Sequence, residues 1–223
     1  MIFCVMIILK KTHRGGENLS QQIRLQLEQI LYQKHIEDFI EIYKHGERVC
    51  TYSTLLANLL KTDAEVIARL KIASKEHDVG KILCPPEILN KPGGLTQKER
   101  KIIQCHSQNS VVVYAERNSA SKDIDIDIVR AIKHHHENFD GTGYPCGLKG
   151  AAIPFISRVI RLTDTFDALT QKRCYKKAVS CDEARSIILD TQIMYDPNIL
   201  VMFIKHFHKF EKLYYDNLAN QCG

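Results

Sequence analysis

The chain has 223 residues, of which 44% are hydrophobic, so it can build one generous domain and fill its core. Lys and Arg number 31 against 26 Asp and Glu, a net charge of +5. That balance is too even to argue for a nucleic-acid polymer and is equally well explained by a pocket for a small anion. The eight cysteines include no CxxC pair, which excludes a zinc ribbon, and a chain of this size needs no disulfide framework, so reduced thiols in the cytoplasm are expected.

At the N-terminus, "MIFCVMIILKK" is apolar for about nine residues, where a membrane span needs roughly 20. Its lysines follow the apolar run instead of preceding it, which is the wrong order for a signal peptide. Residues 1–16 are therefore expected to be a short tail or the remnant of an upstream segment, with no membrane role. "HRGGENLSQQ" (13–22) reads as a break, after which the periodicity is helical almost throughout: Ile23, Leu27, Ile30 and Leu31, then Phe39, Ile40 and Tyr43, then Val49, Tyr52, Leu56, Leu59 and Leu60. Capping boxes at Thr62-x-x-Glu65, Thr96-x-x-Glu99 and Ser180-x-x-Glu183 announce three helix starts. "CPPEILNKPGGLT" (84–96) reads as a Pro/Gly loop between two of them. Residues 123–137 alternate at first, but the spacing of Ile128, Val129 and Ile132 predicts helix, and 152–173 reads as a long helix opened by Pro154. No run of alternating strands is visible, so the predicted class is all-α, a helical bundle.

Several side chains on these helices carry chemistry. Glu41 and His45 lie four apart, one turn on one helix face, and can share a metal. His77 and Asp78 are adjacent, diverging by about 100° on a helix, and can still reach one polynuclear centre. Lys81 follows and can neutralise a phosphate. His106 comes in the next helix, then His134, His135 and His136, which cannot all face one way on a helix. Asp164 sits amid the apolar positions Val159, Ile160, Leu162, Phe166 and Leu169, with Asp167 one turn on, and a buried carboxylate needs a cation. Arg173 and Lys176 add positive charge. Taken singly, each has an ordinary reading as a solvated pair, a surface histidine or a helix end. Together, mixed imidazole and carboxylate donors suit Fe, Mn, Co, Ni or Zn better than Ca or Mg. Two or three such ions polarise a phosphodiester and generate hydroxide at neutral pH. The set outlines a metal-dependent phosphohydrolase.

In order and spacing these segments resemble the HD-GYP domains, a branch of the HD phosphohydrolases. The matching stretches are "HGERV" (45–49), "HDVGKI" (77–82), "PPEILNKPGGLTQKE" (85–99), His106, "HHENFDGTGYPCGLKGAAIP" (135–154), "RVIRLTDTFDALTQKRCYKKAVSCDEA" (158–184) and "YDP" (195–197). The resemblance covers about residues 35–205 and places one phosphohydrolase domain at 17–215. It implies an HD-domain helical bundle with additional helices that hydrolyses cyclic di-GMP, or a related 3′-5′ cyclic dinucleotide, to linear dinucleotide or GMP. A hydroxide bridging the metals would attack one phosphorus in line. The implied metal ligands are His77, Asp78, His106, His135, His136 and Asp164, with Asp78 bridging. Glu41 and His45 match a pair that supports a third ion, so two or three divalent transition-metal ions are implied, iron favoured. Asp78 and Lys81 are the implied catalytic residues. Lys81, Arg173, Lys176 and Tyr144 would meet substrate, and Gly143, Tyr144 and Pro145 would form a loop beside the entrance that also suits a protein partner. His134 is expected to be an outward bystander. The oligomeric state is left open, a homodimer included.

Three positions depart from the family pattern: Cys174 where proline is usual, "TQIMYDP" without the usual glycine and phenylalanine, and Glu76 before the HD pair. None removes an implied ligand. The alternatives are an HD hydrolase of another nucleotide, and a catalytically silent module that binds a cyclic dinucleotide or a protein.

Overall fold

The computed structural model describes residues 21–118, 124–171 and 178–221, with side chains from 37 to 219 within those spans. The apolar N-terminal run, Arg173 and Lys176 lie outside the described residues. The chain divides into two compact units, 1–40 and 41–223. No strand occurs among the described residues, and no helix there is long and apolar enough to cross a membrane. The all-α helical bundle expected from the sequence is what the structure shows.

The helices in chain order are α1 (Gln21–Leu59), α2 (Ala64–Glu76), α3 (Pro86–Leu89), α4 (Gln97–Gln104), α5 (His106–Arg117), α6 (Ile126–Lys133), α7 (Phe155–Thr170), α8 (Cys181–Asp190), α9 (Pro197–Lys205) and α10 (Phe207–Gln221), with a 3-10 turn at Val79–Leu83. The Thr96/Glu99 capping box forms in full. At Ser180 one half forms, the hydroxyl accepting from Glu183 N. The Thr62 box does not form. Lys61 takes a positive φ of 55°, and Thr62 N donates to Ala57 O at 3.0 Å, the pattern that closes a helix C-terminus. Thr62 is thus engaged in ending α1, and Asp63 becomes the N-cap of α2. The Pro/Gly stretch 84–96 contains the short helix α3, opened by Pro86 in its first turn.

The alternating start of 123–137 is not a strand. Asp125 caps α6 by accepting from Asp127 N (2.8 Å) and Ile128 N (3.4 Å), and its other oxygen accepts from Arg69 Nε at 2.7 Å, tying α6 to α2. Glu76, the departure beside the HD pair, is matched by Arg117 of α5 at 2.9 Å. Asp196, of the "YDP" stretch, caps α9 and accepts from the Arg158 guanidinium.

Helix α7 runs through the centre, buried on almost every side. One face packs an aromatic cluster: Phe166 meets Tyr52 with ring centroids 5.1 Å apart and Phe203 at 5.6 Å, and Phe203 meets Phe210 at 4.6 Å. Asp164 and Asp167 lie away from this cluster, one turn apart on the same helix. The Ser53 and Thr163 hydroxyls hydrogen-bond at 2.7 Å and fix α1 on α7 at the level of these acids.

Two glycines allow the backbones to approach closely enough for the site. A Cβ on Gly46 would lie 2.7 Å from Lys75 O, and one on Gly80 would lie 2.2 Å from Ser110 N and 2.4 Å from His106 O. Gly80 N also donates to the Ser110 hydroxyl at 2.8 Å. Because the obstructing atoms are backbone, a side chain there must push α5 off the 3-10 turn. Gly80→Ala is expected to destabilise the domain by about 1–3 kcal/mol or more, seen as a lower Tm in thermal unfolding, whereas Gly94→Ala, which meets nothing within 4 Å, is expected to leave Tm nearly unchanged.

Candidate metal centre

The ligand-type side chains converge because of where helices stop. His77 and Asp78 directly follow α2, His106 opens α5 with only Cys105 between it and α4, and His134–His136 form the turn after α6. The last carbonyls of a helix lack intrahelical partners, and three histidines use them. The Nδ1 of His77 donates to Ser74 O (2.7 Å), that of His106 to Ile103 O (2.6 Å) and that of His135 to Ile132 O (2.6 Å). A carbonyl only accepts, so each Nδ1 carries a hydrogen, and the neutral form of each ring presents its Nε2 lone pair inward.

Those lone pairs gather into two four-residue groups, Asp78–His106–His135–His136 and His45–His77–Asp78–Asp164, with one ligand atom of each residue within 4.8 Å of the others. Asp78 belongs to both, and its two oxygens face different ways. Oδ1 lies 3.1 Å from His106 Nε2 and 3.8 Å from His135 Nε2. Oδ2 lies 3.3 Å from His45 Nε2 and 3.6 Å from His77 Nε2. Asp164 Oδ1 closes the second group, 3.1 Å from His45 Nε2 and 3.9 Å from His77 Nε2.

A cation fits this arrangement. His45 Nε2, His77 Nε2 and Asp78 Oδ1 are buried with no hydrogen-bond partner, each at a cost of about 1–3 kcal/mol. The His106 and His135 Nε2 atoms approach to 3.2 Å although both Nδ1 hydrogens are committed elsewhere, so two lone pairs face each other unless a proton or metal lies between them. A proton is disfavoured on His135, where burial and then the neighbouring His77 and His106 rings push the imidazole well below its usual range. His136 is held down in the same way by burial, His135 and His106. On the other side, burial pulls His45 down, but Asp164, Asp167 and Asp78 outweigh it and raise the imidazole to about 10. Burial would push the carboxyls of Asp78 and Asp164 up. Lys81 and His77 overcome this for Asp78, and His45 and His77 for Asp164, holding both well below the usual carboxylate range.

Asp167, fully buried on α7, supports the second group. It accepts from His45 Nδ1 at 2.7 Å and from Arg48 Nε and Nη2 at 2.8 and 3.1 Å, so it fixes the His45 ring with Nε2 inward. Arg48 Nη2 also donates to Glu41 Oε1 at 3.2 Å. Glu41 is in neither group. Its side chain is 63% exposed and engaged by Arg48, while His45 joins His77 and Asp164.

The Lys81 ammonium donates to Asp78 Oδ2. Tyr144 stacks on His136, with ring centroids 4.8 Å apart at 30°, and burial followed by the charges of Asp78 and Asp164 pushes its phenol up, so it stays a neutral hydroxyl. Gly143 is pressed against this turn, a Cβ there lying 2.3 Å from Asn138 N. His134 is not an outward bystander. It is buried, with Nδ1 3.3 Å from Glu137 Oε1, because α6 ends at Lys133 and the turn swings the ring under the chain. Sequence reasoning did not find the roles of Arg48, Asp167 and Glu137. The Asp-x-x-Asp spacing on an apolar helix was the one available signal, for Asp167.

The sequence profile described as an HD domain matches residues 28–199. The chain belongs to the HD domain family. It carries the His77-Asp78 pair and the Gly143-Tyr144-Pro145 loop together, as the HD-GYP branch does, and an HD domain implies a divalent metal. Among curated relatives, this HD domain is 33% identical over 163 residues to a cyclic di-GMP phosphodiesterase of Pseudomonas aeruginosa, covering 73% of this chain and 38% of the relative. It is 37% identical over 146 residues to the 3′3′-cGAMP-specific phosphodiesterase 1 of Vibrio cholerae, covering 66% and 33%. With a cyclic di-GMP phosphodiesterase of Thermotoga maritima it shares 33% over 167 residues, covering 74% and 45%. The HD domain thus spans less than half the length of each of these relatives. Among solved structures, an HDGYP protein of Bdellovibrio bacteriovorus superposes with a TM-score of 0.57 at 22% identity, covering 80% of this chain and 52% of that one. The PgpH HD domain of L. monocytogenes, solved in complex with cyclic-di-AMP, gives 0.53 at 16%, covering 84% and 94%. At these identities the likeness is one of fold.

Two measurements follow from the geometry. Asp167→Asn keeps the shape but loses the charge behind His45, and is expected to weaken metal binding in the His45 group about 10–100-fold, read by competition with a chelator. The sign of the pH dependence comes from His45. Its raised pKa means that its ion pairs stabilise the metal-free fold fully below about 6.5 and are lost as pH rises through about 10. A metal must displace that proton, so below about 10 the affinity is expected to rise about tenfold per pH unit, measured by calorimetric titration at pH values one unit apart.

Proposed function

We propose that this domain is a phosphodiesterase that hydrolyses a 3′-5′ cyclic dinucleotide, cyclic di-GMP first, to linear dinucleotide or GMP, using two divalent transition-metal ions. One observation carries the reading: two inward-facing donor groups share Asp78, each taking one of its oxygens. Curated relatives named for cyclic di-GMP and 3′3′-cGAMP support the substrate class. His106, His135, His136 and Asp78 Oδ1 would hold one ion, and His45, His77, Asp164 and Asp78 Oδ2 the other. Two ions are favoured over three because Glu41 is engaged by Arg48. Iron is the favoured metal, and Mn, Co, Ni and Zn also suit imidazole and carboxylate donors. When bound, such a pair supplies Lewis acidity toward the phosphodiester and a nucleophile at neutral pH.

The protein's own side chains do the rest. The buried acids Asp78 and Asp164 stay ionised and orient the centre. Arg48 and Asp167 hold His45 in place. Lys81, at the edge of the cluster, would take a phosphate oxygen and stabilise charge developing there, with Arg173 and Lys176 as further phosphate contacts. Tyr144, stacked on His136, would shape the entrance and offer a ring face or a hydroxyl to the substrate. The Gly143–Pro145 loop also suits a protein partner. The reading places the domain in the cytoplasm, where Cys50, Cys84, Cys105, Cys146 and Cys181 would remain free thiols, as they are here.

The test is anaerobic purification, elemental analysis, and chromatography of the products from cyclic di-GMP and 3′3′-cGAMP. A metal-containing protein that turns over cyclic di-GMP is expected. Asp78→Ala is expected to lose nearly all metal and all turnover while keeping its helical circular dichroism. A fully metal-loaded protein inert toward both dinucleotides would overturn the proposal, and a metal-free protein that still binds one would identify a silent receptor.

A further inference from the structure

A third group of ligand-type side chains lies outside the two that share Asp78. His134, Glu137 and Cys146 place one nitrogen, one carboxylate oxygen and one sulfur within 4.8 Å of each other. His134 caps the end of α6, Glu137 follows the histidine turn, and Cys146 comes directly after Pro145. None of the three contributes to the centre described above.

Glu137 has an evident structural duty. It is 1% exposed, and its oxygens accept from Cys146 N at 2.8 Å and Leu148 N at 3.0 Å, which anchors the loop after Pro145. The two amides suffice for that anchor. The His134 ring, with Nδ1 3.3 Å from Glu137 Oε1, and the Cys146 side chain are additional to it. Two amides and an imidazole are its hydrogen-bond partners, and among the described residues no Lys or Arg nitrogen forms an ion pair with Glu137. A buried carboxylate in that state favours a nearby cation. The exposed Cys146 gives an ion a way in.

We propose that His134, Glu137 and Cys146 form a separate site for one divalent ion of the zinc class. Mixed S, N and O donors are the set such an ion accepts, and Ca or Mg is a poor match for thiolate. Donors around a tetrahedral ion of this class lie roughly 3.5 Å apart, given its bond lengths, so three atoms within 4.8 Å need only a small contraction. Binding would deprotonate the thiol, release that proton to solvent and leave a fourth position for water. The ion would staple the loop carrying Tyr144 to the turn carrying His135 and His136. The proposal is independent of the substrate assigned above.

Cobalt reads this site separately, because the groups around Asp78 contain only imidazoles and carboxylates and give no thiolate charge transfer. The full-length protein is stripped with a chelator and titrated with Co2+. A near-ultraviolet thiolate-to-cobalt band is expected, abolished in Cys146→Ser and displaced by Zn2+. In His134→Asn the band is expected to need at least tenfold more Co2+. Circular dichroism checks that both variants are folded. No band in the wild-type protein, a band of unchanged intensity in Cys146→Ser, or unchanged affinity in His134→Asn would each overturn the proposal.

Discussion

The arrangement depends on one electrostatic constraint: imidazole nitrogens and carboxylate oxygens face one another in a buried interior. Three histidine rings cannot turn away, because helix-end carbonyls hold their Nδ1 hydrogens, and a fourth is held by Asp167. Electron-rich atoms fixed this close need positive charge among them, and the protein supplies part of it through the raised His45 imidazole and the Lys81 ammonium. Groups held in place before anything binds are how proteins keep a reactive site preorganised.

Helix ends, more than helix faces, assemble the donors. A helix face offers a ligand every third or fourth residue, whereas a terminus can point consecutive residues at one spot and supplies free carbonyls to orient them. The ends of α2, α4 and α6 meet here, and Gly46, Gly80 and Gly143 let neighbouring backbones approach to distances that a methyl group would block. The exceptions are His45, inside α1, and Asp164, on α7, whose residues are mostly buried.

Much of this was legible in the sequence. The helical periodicity, the Thr96 box and the ordered motifs gave the bundle and the residues that meet around Asp78. What was not legible depends on chain geometry. Treating His77-Asp78 and His134–His136 as helical let the first pair reach one centre only by diverging and kept the three histidines from facing one way, whereas both stretches lie just beyond a helix, and His135 and His136 turn inward with His77 and Asp78. His134 looked like an outward residue for the same reason. Glu41 and His45 share a helix turn, but an arginine three residues after His45 takes up the glutamate, and no spacing rule reveals that competition. Asp167 gave only a spacing hint, since its partners His45 and Arg48 are some 120 positions away along the chain.

The lysine beside the HD pair has a consequence for the order of events. Its ammonium rests on Asp78 Oδ2, the same oxygen that the His45 and His77 side of the cluster needs. Lysine and metal are thus rivals for one atom. Resting there, the amine serves as an internal counter-ion to the buried carboxylate, and a cation held by that oxygen would have to take its place. An amine so engaged can take an external anion only if something else neutralises Asp78, so anion binding at Lys81 would be coupled to the state of that carboxylate.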